Sequence, residues 1–242
     1  MRAFRAQARA EVLMTLRNAE ALLLALGIPV LLLAFFSTVD VLPTPAEVAE
    51  PVDFLAPGIL ALAIMSTGLT SLAIATGFQR GYGVLKRLGT TPLSRPGLLA
   101  AKIVSVLAVE LVQVAVLVPV ALALGWRPSG AVGAALGAVL LGTVAFSGLG
   151  LLMAGALKPE LTLALANGLY LVLLLLGGMV IPLASLPGPL RTVAQALPAA
   201  ALSDALRASI GAGAAVPTRA WIVLALWALA TPLAAARTFR WE

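Results

Sequence analysis

Residues 54–78 read FLAPGILALAIMSTGLTSLAIATGF, twenty-five positions without one charged side chain. A helix needs about 20 such residues to cross the roughly 30 Å of hydrocarbon in a bilayer. Five further stretches carry the same signature: Ala21–Val39, Ile103–Leu124, Ala131–Leu157, Leu161–Leu183 and Trp221–Ala236. Pro29 inside the first of them removes a backbone donor and predicts a kink. The composition agrees with this reading. Hydrophobic residues make up 61% of the 242 positions, charged residues 11%, and the mean hydropathy is +1.06. A soluble domain needs about 25% charge to cover its surface. The expected fold is therefore an all-α integral membrane domain of six transmembrane helices over residues 1–242.

Charge sets the expected orientation. With the N-terminus in the cytoplasm, twelve of the sixteen Lys and Arg fall inside and four, Arg127, Arg191, Arg207 and Arg219, fall outside. The opposite topology reverses that bias, so the positive-inside rule places both termini in the cytoplasm and demands an even number of spans. The basic residues flank apolar spans, which makes them topology determinants and argues against nucleic acid as a partner. Residues 1–18 put Arg2, Arg5 and Arg9 on one helical stripe and Phe4, Ala8, Val12 and Leu16 on another. That pattern suits an amphipathic helix lying on the membrane surface; a solvated basic extension is the plainer alternative.

Several chemistries are excluded outright. Cysteine and histidine are absent, which removes disulfides, thiolate metal sites and the usual general base of a hydrolase. No lysine sits in a G-x-x-x-x-G-K-[ST] context, so the chain carries no phosphate-binding loop of its own. No cofactor is expected in this chain, and ATP with Mg would belong to a separate subunit.

The most informative loop joins spans two and three. It contains Arg80, Tyr82, Val84, Leu85, Lys86, Arg87 and Leu88, followed by Thr91-Pro92, which ends any helix begun at Val84. Val84, Leu85 and Leu88 form a short apolar face beside two cations. A docking helix for a partner and a purely topological basic loop are both compatible with that pattern. Lys102 closes this basic segment at its far edge.

The run YGVLKRLGTTPLSR at 82–95 resembles the signature loop of type-2 ABC exporter permeases, in their daunorubicin-resistance-like branch. Pro57-Gly58 and the segment LRNAEALLLALGIPVLLL at 16–33 fit the same branch. So do Pro182, Leu186-Pro187, Pro198 and the DALR of 204–207, and the resemblance therefore runs along nearly the whole chain. Gln79 departs from it, since an acidic residue is expected before the arginine. The resemblance implies a half-transporter. Two such permeases, identical or homologous, would pair in the lipid of a bacterial inner membrane, with two copies of an ATP-binding subunit beneath them. Residues 79–101 would be the coupling loop that docks on the ATPase, and residues 1–18 the interfacial connecting helix. Residues 184–218 would form short re-entrant helices on the outer side, with Leu190–Leu197 and Ala199–Ile210 as candidates. Pro182, Pro187 and Pro198 would break them, and Asp204 would pair with Arg207 at i, i+3.

Within the spans, Glu110 is the one deep acid, about eight residues into the third, with Gln113 on nearly the same face. A charged side chain at a helix centre costs about 2.5–3.5 kcal/mol against lipid, so it should face protein or water. Glu110, Gln113 and Asn167 are the candidates for a translocation path. The alternative is a structural hydrogen bond from Glu110 to a neighbouring helix, with Asn167 on span five as the candidate partner. Gly133-x-x-x-Gly137 and Gly148-Leu149-Gly150 in span four promise close helix packing. The expected function is the membrane subunit of an ATP-driven exporter of drug-like amphiphiles or lipid-linked molecules. A lipid or polysaccharide exporter is the nearest alternative. A secondary transporter would need more buried ionisable groups, and a membrane assembly factor would need no path at all.

Overall fold

Pro, Gly, Ser and Asn at helix ends divide the apolar sequence into helices of spanning length and short connectors. The computed structural model describes residues 2–39, 50–211 and 217–239. Among these, helix α1 is Arg2–Arg17 and α2 is Ala19–Thr38. The long second span runs Pro51–Gly81, as α3 Pro51–Met65, a π-helical turn Ser66–Ser71, and α4 Leu72–Gly81. Short helix α5 is Val84–Leu88. Then come α6 Arg95–Ala123, α7 Val132–Ala156 and α8 Pro159–Leu176. The short helices α9 Gly188–Ala194 and α10 Pro198–Ile210 precede α11 Thr218–Thr238. Six helices are long and apolar enough to cross a membrane, in agreement with the hydropathy reading. The acidic connection containing Glu47 falls in 40–49, outside the described residues.

Several boundaries differ from the sequence reading. Span three begins at Arg95, because Ser94 caps it by accepting from the Gly97 N–H and Pro96 occupies the first turn. Gln79 to Gly81 still belong to α4. The non-spanning part of the 79–101 segment is therefore only 82–94. Span five stops at Leu176, not Leu183; Gly177-Gly178 breaks it, with Gly178 at φ +65°, and the chain folds back through buried Met179. The short helices that follow start at Gly188 and Pro198.

The second span is the core of the bundle. In an eighteen-residue apolar stretch of it 72% of residues are buried, against 11% and 17% in the first and fifth spans. Leu55, Ile59, Ala61, Met65 and Leu69 are all sealed inside. Helix α7 packs closely on both α11 and the second span, and two glycines explain how. A Cβ at Gly148 would lie 2.2 Å from Thr231 Oγ1, and one at Gly150 would lie 2.8 Å from the carbonyls of Gly68 and Leu69. In the G-x-x-x-G of that span, Gly133 faces open space while a Cβ at Gly137 would lie 3.5 Å from the Trp221 ring of α11. Leu23, Leu24, Ile28 and Leu31 on α2, and Leu171 and Leu175 on α8, are exposed.

Phe239, after α11, reaches the α5 end of the bundle. A second, smaller core there holds Leu72, Leu85, Leu93, Leu98, Leu151 and Phe239. Helix α1 packs along α6 with Ala8 and Glu11 inward and Arg2, Arg5, Arg9 and Arg17 exposed.

Candidate functional site

At the α5 end, Gly83 supplies the left-handed φ of +72° that turns the chain from α4 into α5. Thr90 and Thr91 then donate their hydroxyls to the carbonyls of Arg87 and Leu88 and finish the helix. The expected docking face does not form as a unit. Leu85 is wholly buried in the protein's own small core and Leu88 packs half-buried beside it, because a five-residue helix needs an anchor to persist. Arg80 is also turned inward: its guanidinium donates to the carbonyls of Gly155 and Leu157 and caps the end of α7. Tyr82, Val84, Lys86 and Arg87 are the residues presented outward, with Tyr82 76% exposed.

In the middle of the bundle, the candidate path residues separate. Glu110 is buried on α6, where its Oε2 accepts from Thr143 on α7. Thr143 also reaches the Val139 carbonyl. Asn167 is not its partner; it is exposed on α8 and donates to Leu163 of its own helix at 2.9 Å. Gln113 turns another way. Its Nε2 donates to the Ala25 carbonyl at 2.9 Å, and its Oε1 lies 3.3 Å from Thr67 Oγ1. The Ala25 carbonyl is the one that an N–H at position 29 would have used. Pro29 has none, and Gln113 fills the vacancy.

Asn167 instead lines a groove of about 270 Å³ with Leu24, Ile28, Ser66, Thr70 and Tyr170. The groove lies between α2, the second span and α8. Thr70 Oγ1 is buried without a hydrogen-bond partner. The π-helical turn turns Thr67 inward to Gln113 and leaves Ser66 and Thr70 on the groove side. Such turns inside α-helices recur at functional sites. Sequence reasoning missed Ser66, Thr70, Tyr170 and Thr143. The available signal was STGLTS at 66–71, the densest polar run in that span.

At the opposite end, Arg207 on α10 gathers the region downstream of span five. It donates to the carbonyls of Gly178 and Met179 and to Ser203 Oγ at 3.2 Å. Its Cζ stacks 3.9 Å above the Phe54 ring. Asp204 lies 3.9 Å away, as the i, i+3 spacing implied. Burial pulls the guanidinium pKa down to about 10, which Asp204 opposes, and it stays charged at neutral pH. Burial pushes the Asp204 carboxyl up, against the pull of Arg207 and Arg191. Gly58 makes the arrangement possible, since a Cβ there would lie 1.9 Å from the Met179 carbonyl. Pro182 precedes the single 3₁₀ turn Leu183–Ser185, and Pro187 and Pro198 open α9 and α10 at their N-termini.

One cluster joins residues the sequence left apart. Lys102 on α6 is 1% exposed and donates to Glu11 Oε1 of α1 at 3.1 Å and to Gln79 Oε1 of α4 at 2.6 Å. Gln7 also donates to Glu11, at 2.8 Å. Gln79, where the resemblance leads to an acid, instead presents its amide oxygen to Lys102. Among the described residues, no cluster of acids could hold a metal ion.

Comparison with known proteins fits this architecture. The profile of the ABC-2 type transporter family matches residues 2–210. A Bacillus subtilis (strain 168) protein, YvfS, provisionally named a transport permease, is 26% identical over 206 residues. That match covers 82% of this chain and 81% of the other.

Proposed function

Because the chain belongs to the ABC-2 type transporter family, and is thus a multi-pass membrane permease of an ABC transporter, we propose that it moves an amphiphilic substrate outward, driven by ATP hydrolysed in a separate subunit. The absence of any phosphate-binding loop supports that division of labour. Drug-like and lipid-linked molecules fit the groove between α2, the second span and α8. It is mostly apolar, with Ser66, Thr70, Asn167 and Tyr170 as the few polar contacts, the composition expected of a small-molecule site.

In this reading the α5 end is cytoplasmic, both termini lie there, and the membrane is the bacterial plasma membrane. Tyr82, Val84, Lys86 and Arg87 meet the ATP-binding subunit, while Arg80, Leu85 and Leu88 hold that surface in place. Two permeases pair, and the exposed apolar faces of α2 and α8 are what the second permease and lipid cover. Alternating access then opens the groove to one side and the other. Glu110 and Gln113 lie off the groove, in hydrogen bonds to Thr143 and to Ala25 and Thr67. Helices α9 and α10 with the segment 177–187 re-enter from the outer side.

The observation that carries this reading is the family match over 2–210. The experiment is copurification with an ATP-binding subunit, followed by ATP-dependent efflux of a fluorescent cationic dye from cells. Cysteines placed at positions 47 and 87 of this cysteine-free chain fix the orientation. Labelling from outside at 47 and not at 87 is expected. The reverse pattern, or a permease that binds no ATPase, overturns the reading.

A further inference from the structure

The geometry points to the buried group Glu11–Lys102–Gln79 as a joint that carries movement of the α5 loop into helix α1. This rests on the ATP-driven reading above.

Four observations converge on it. First, Lys102 holds both legs of the loop. Gln79 lies three residues before Tyr82, where the chain leaves α4, and Lys102 lies two turns into α6, where the chain returns. The third member, Glu11, belongs to a different element, the N-terminal helix. Second, the anchor of α5 shares a helix face with the joint. Leu85 packs in one small core with Leu98 of α6, and Leu98 and Lys102 are four residues apart, one turn along the same side. A push on the exposed face of α5 therefore reaches Lys102 through rigid helix. Third, every bond in the group runs between side chains. Such bonds can lengthen or exchange without unwinding a helix. Fourth, the group borders a cavity of about 210 Å³, also lined by Thr15, Asn18, Ser71 and Ser105. That space gives α1 room to shift, which a close-packed contact would not. An ammonium also has three donors, and two are used here, so the cation can exchange partners while remaining bonded.

The test uses the full chain with its ATP-binding subunit. Spin labels go on cysteines at exposed Arg9 of α1 and exposed Val132 at the far end of α7. The distance between them is measured with and without ATP plus vanadate. In the otherwise unaltered protein, trapping shifts that distance. The double variant Glu11→Leu/Lys102→Met removes both charges together, so neither is left buried alone. It is expected to keep the ATP-binding subunit and to lose the shift at least about fivefold, the lower end of measured coupling between sites. The swapped variant Glu11→Lys/Lys102→Glu rebuilds the pair, and the Gln79 amide can turn its N–H toward the new carboxylate; the shift is expected to return. A full shift in the double variant overturns the joint. So does a folded, ATPase-bound swapped variant without the shift, which also carries the test if the double variant does not fold. No shift in the unaltered complex likewise removes it. Failure to recover any ATP-binding subunit with the unaltered chain sinks the exporter reading instead.

Discussion

Lys102, sealed in the interior, and Arg207, with 17% of its side chain exposed, each tie three segments together, one near each end of the bundle, yet they are held in opposite ways. Lys102 is bonded only to side chains, Glu11 and Gln79. Arg207 is bonded mostly to backbone, the carbonyls of Gly178 and Met179. The choice of residue follows. A planar guanidinium with five donors can serve several fixed carbonyls at once, whereas an ammonium is a compact charge on a flexible stem. Backbone acceptors cannot be changed by substitution and cannot swing away, so Arg207 is a fastening. Side-chain acceptors can do both, so the Lys102 group can yield. Buried backbone outside a helix needs a partner, and Arg207 supplies one to the carbonyls of residues 178–179.

The largest expected effect breaks the fastening. Arg207→Leu orphans two buried carbonyls at about 1–3 kcal/mol each, and no second substitution can restore a partner to them. Little folded permease should be recovered from membranes. Arg207→Lys should recover only part, because one ammonium cannot reproduce the fork. Next comes Lys102→Met, which strands Glu11 in the interior and should cost about 3–5 kcal/mol. Unlike Arg207→Leu, it should be rescued by Glu11→Leu, as read from the thermal midpoint of the purified protein. Equal rescue, or none, at both sites would erase the contrast drawn between them.

Leu85→Ala should cost about 2 kcal/mol, the low end for a core leucine, because its cluster is small. It should loosen α5, whereas Tyr82→Ala should weaken ATPase association with the thermal midpoint unchanged. Loss of association in both with no loss of stability in Leu85→Ala would return Leu85 to the docking surface. Glu110→Gln keeps the shape and an acceptor for Thr143, so its stability cost should stay near about 1 kcal/mol while dye efflux changes. Normal efflux would mark Glu110 as structural. The smallest effect belongs to Lys86→Ala, about 0–1 kcal/mol in ATPase binding, as for an exposed charge.

The six spans were legible because hydropathy is summed over neighbours along the chain. The Asp204–Arg207 pairing was legible for the same reason, being three residues apart on one helix. Glu11 was invisible as a partner of Lys102, since 91 residues separate them. On α1 the reading set Phe4, Ala8 and Val12 on one stripe and passed over Glu11, which lies between Ala8 and Val12 and turns inward. Leu85 was placed on a face with Val84 and Leu88, and nothing local could say which side of that short helix would turn inward. The end of span five was overrun because Met179 to Leu183 are apolar, and the break lies in the glycine pair before them.

The sequence alone determined a membrane bundle of six spans and its charge asymmetry. These follow from composition and from runs of adjacent residues. Only the tertiary structure decided that Gln113 would satisfy the carbonyl Pro29 left open, that Asn167 and Thr70 would share a groove, and that Lys102 would find its carboxylate on the first helix. The first and the last of these are buried polar groups meeting their partners. Burial makes such pairing compulsory, but which distant residue answers is settled only when the helices have packed.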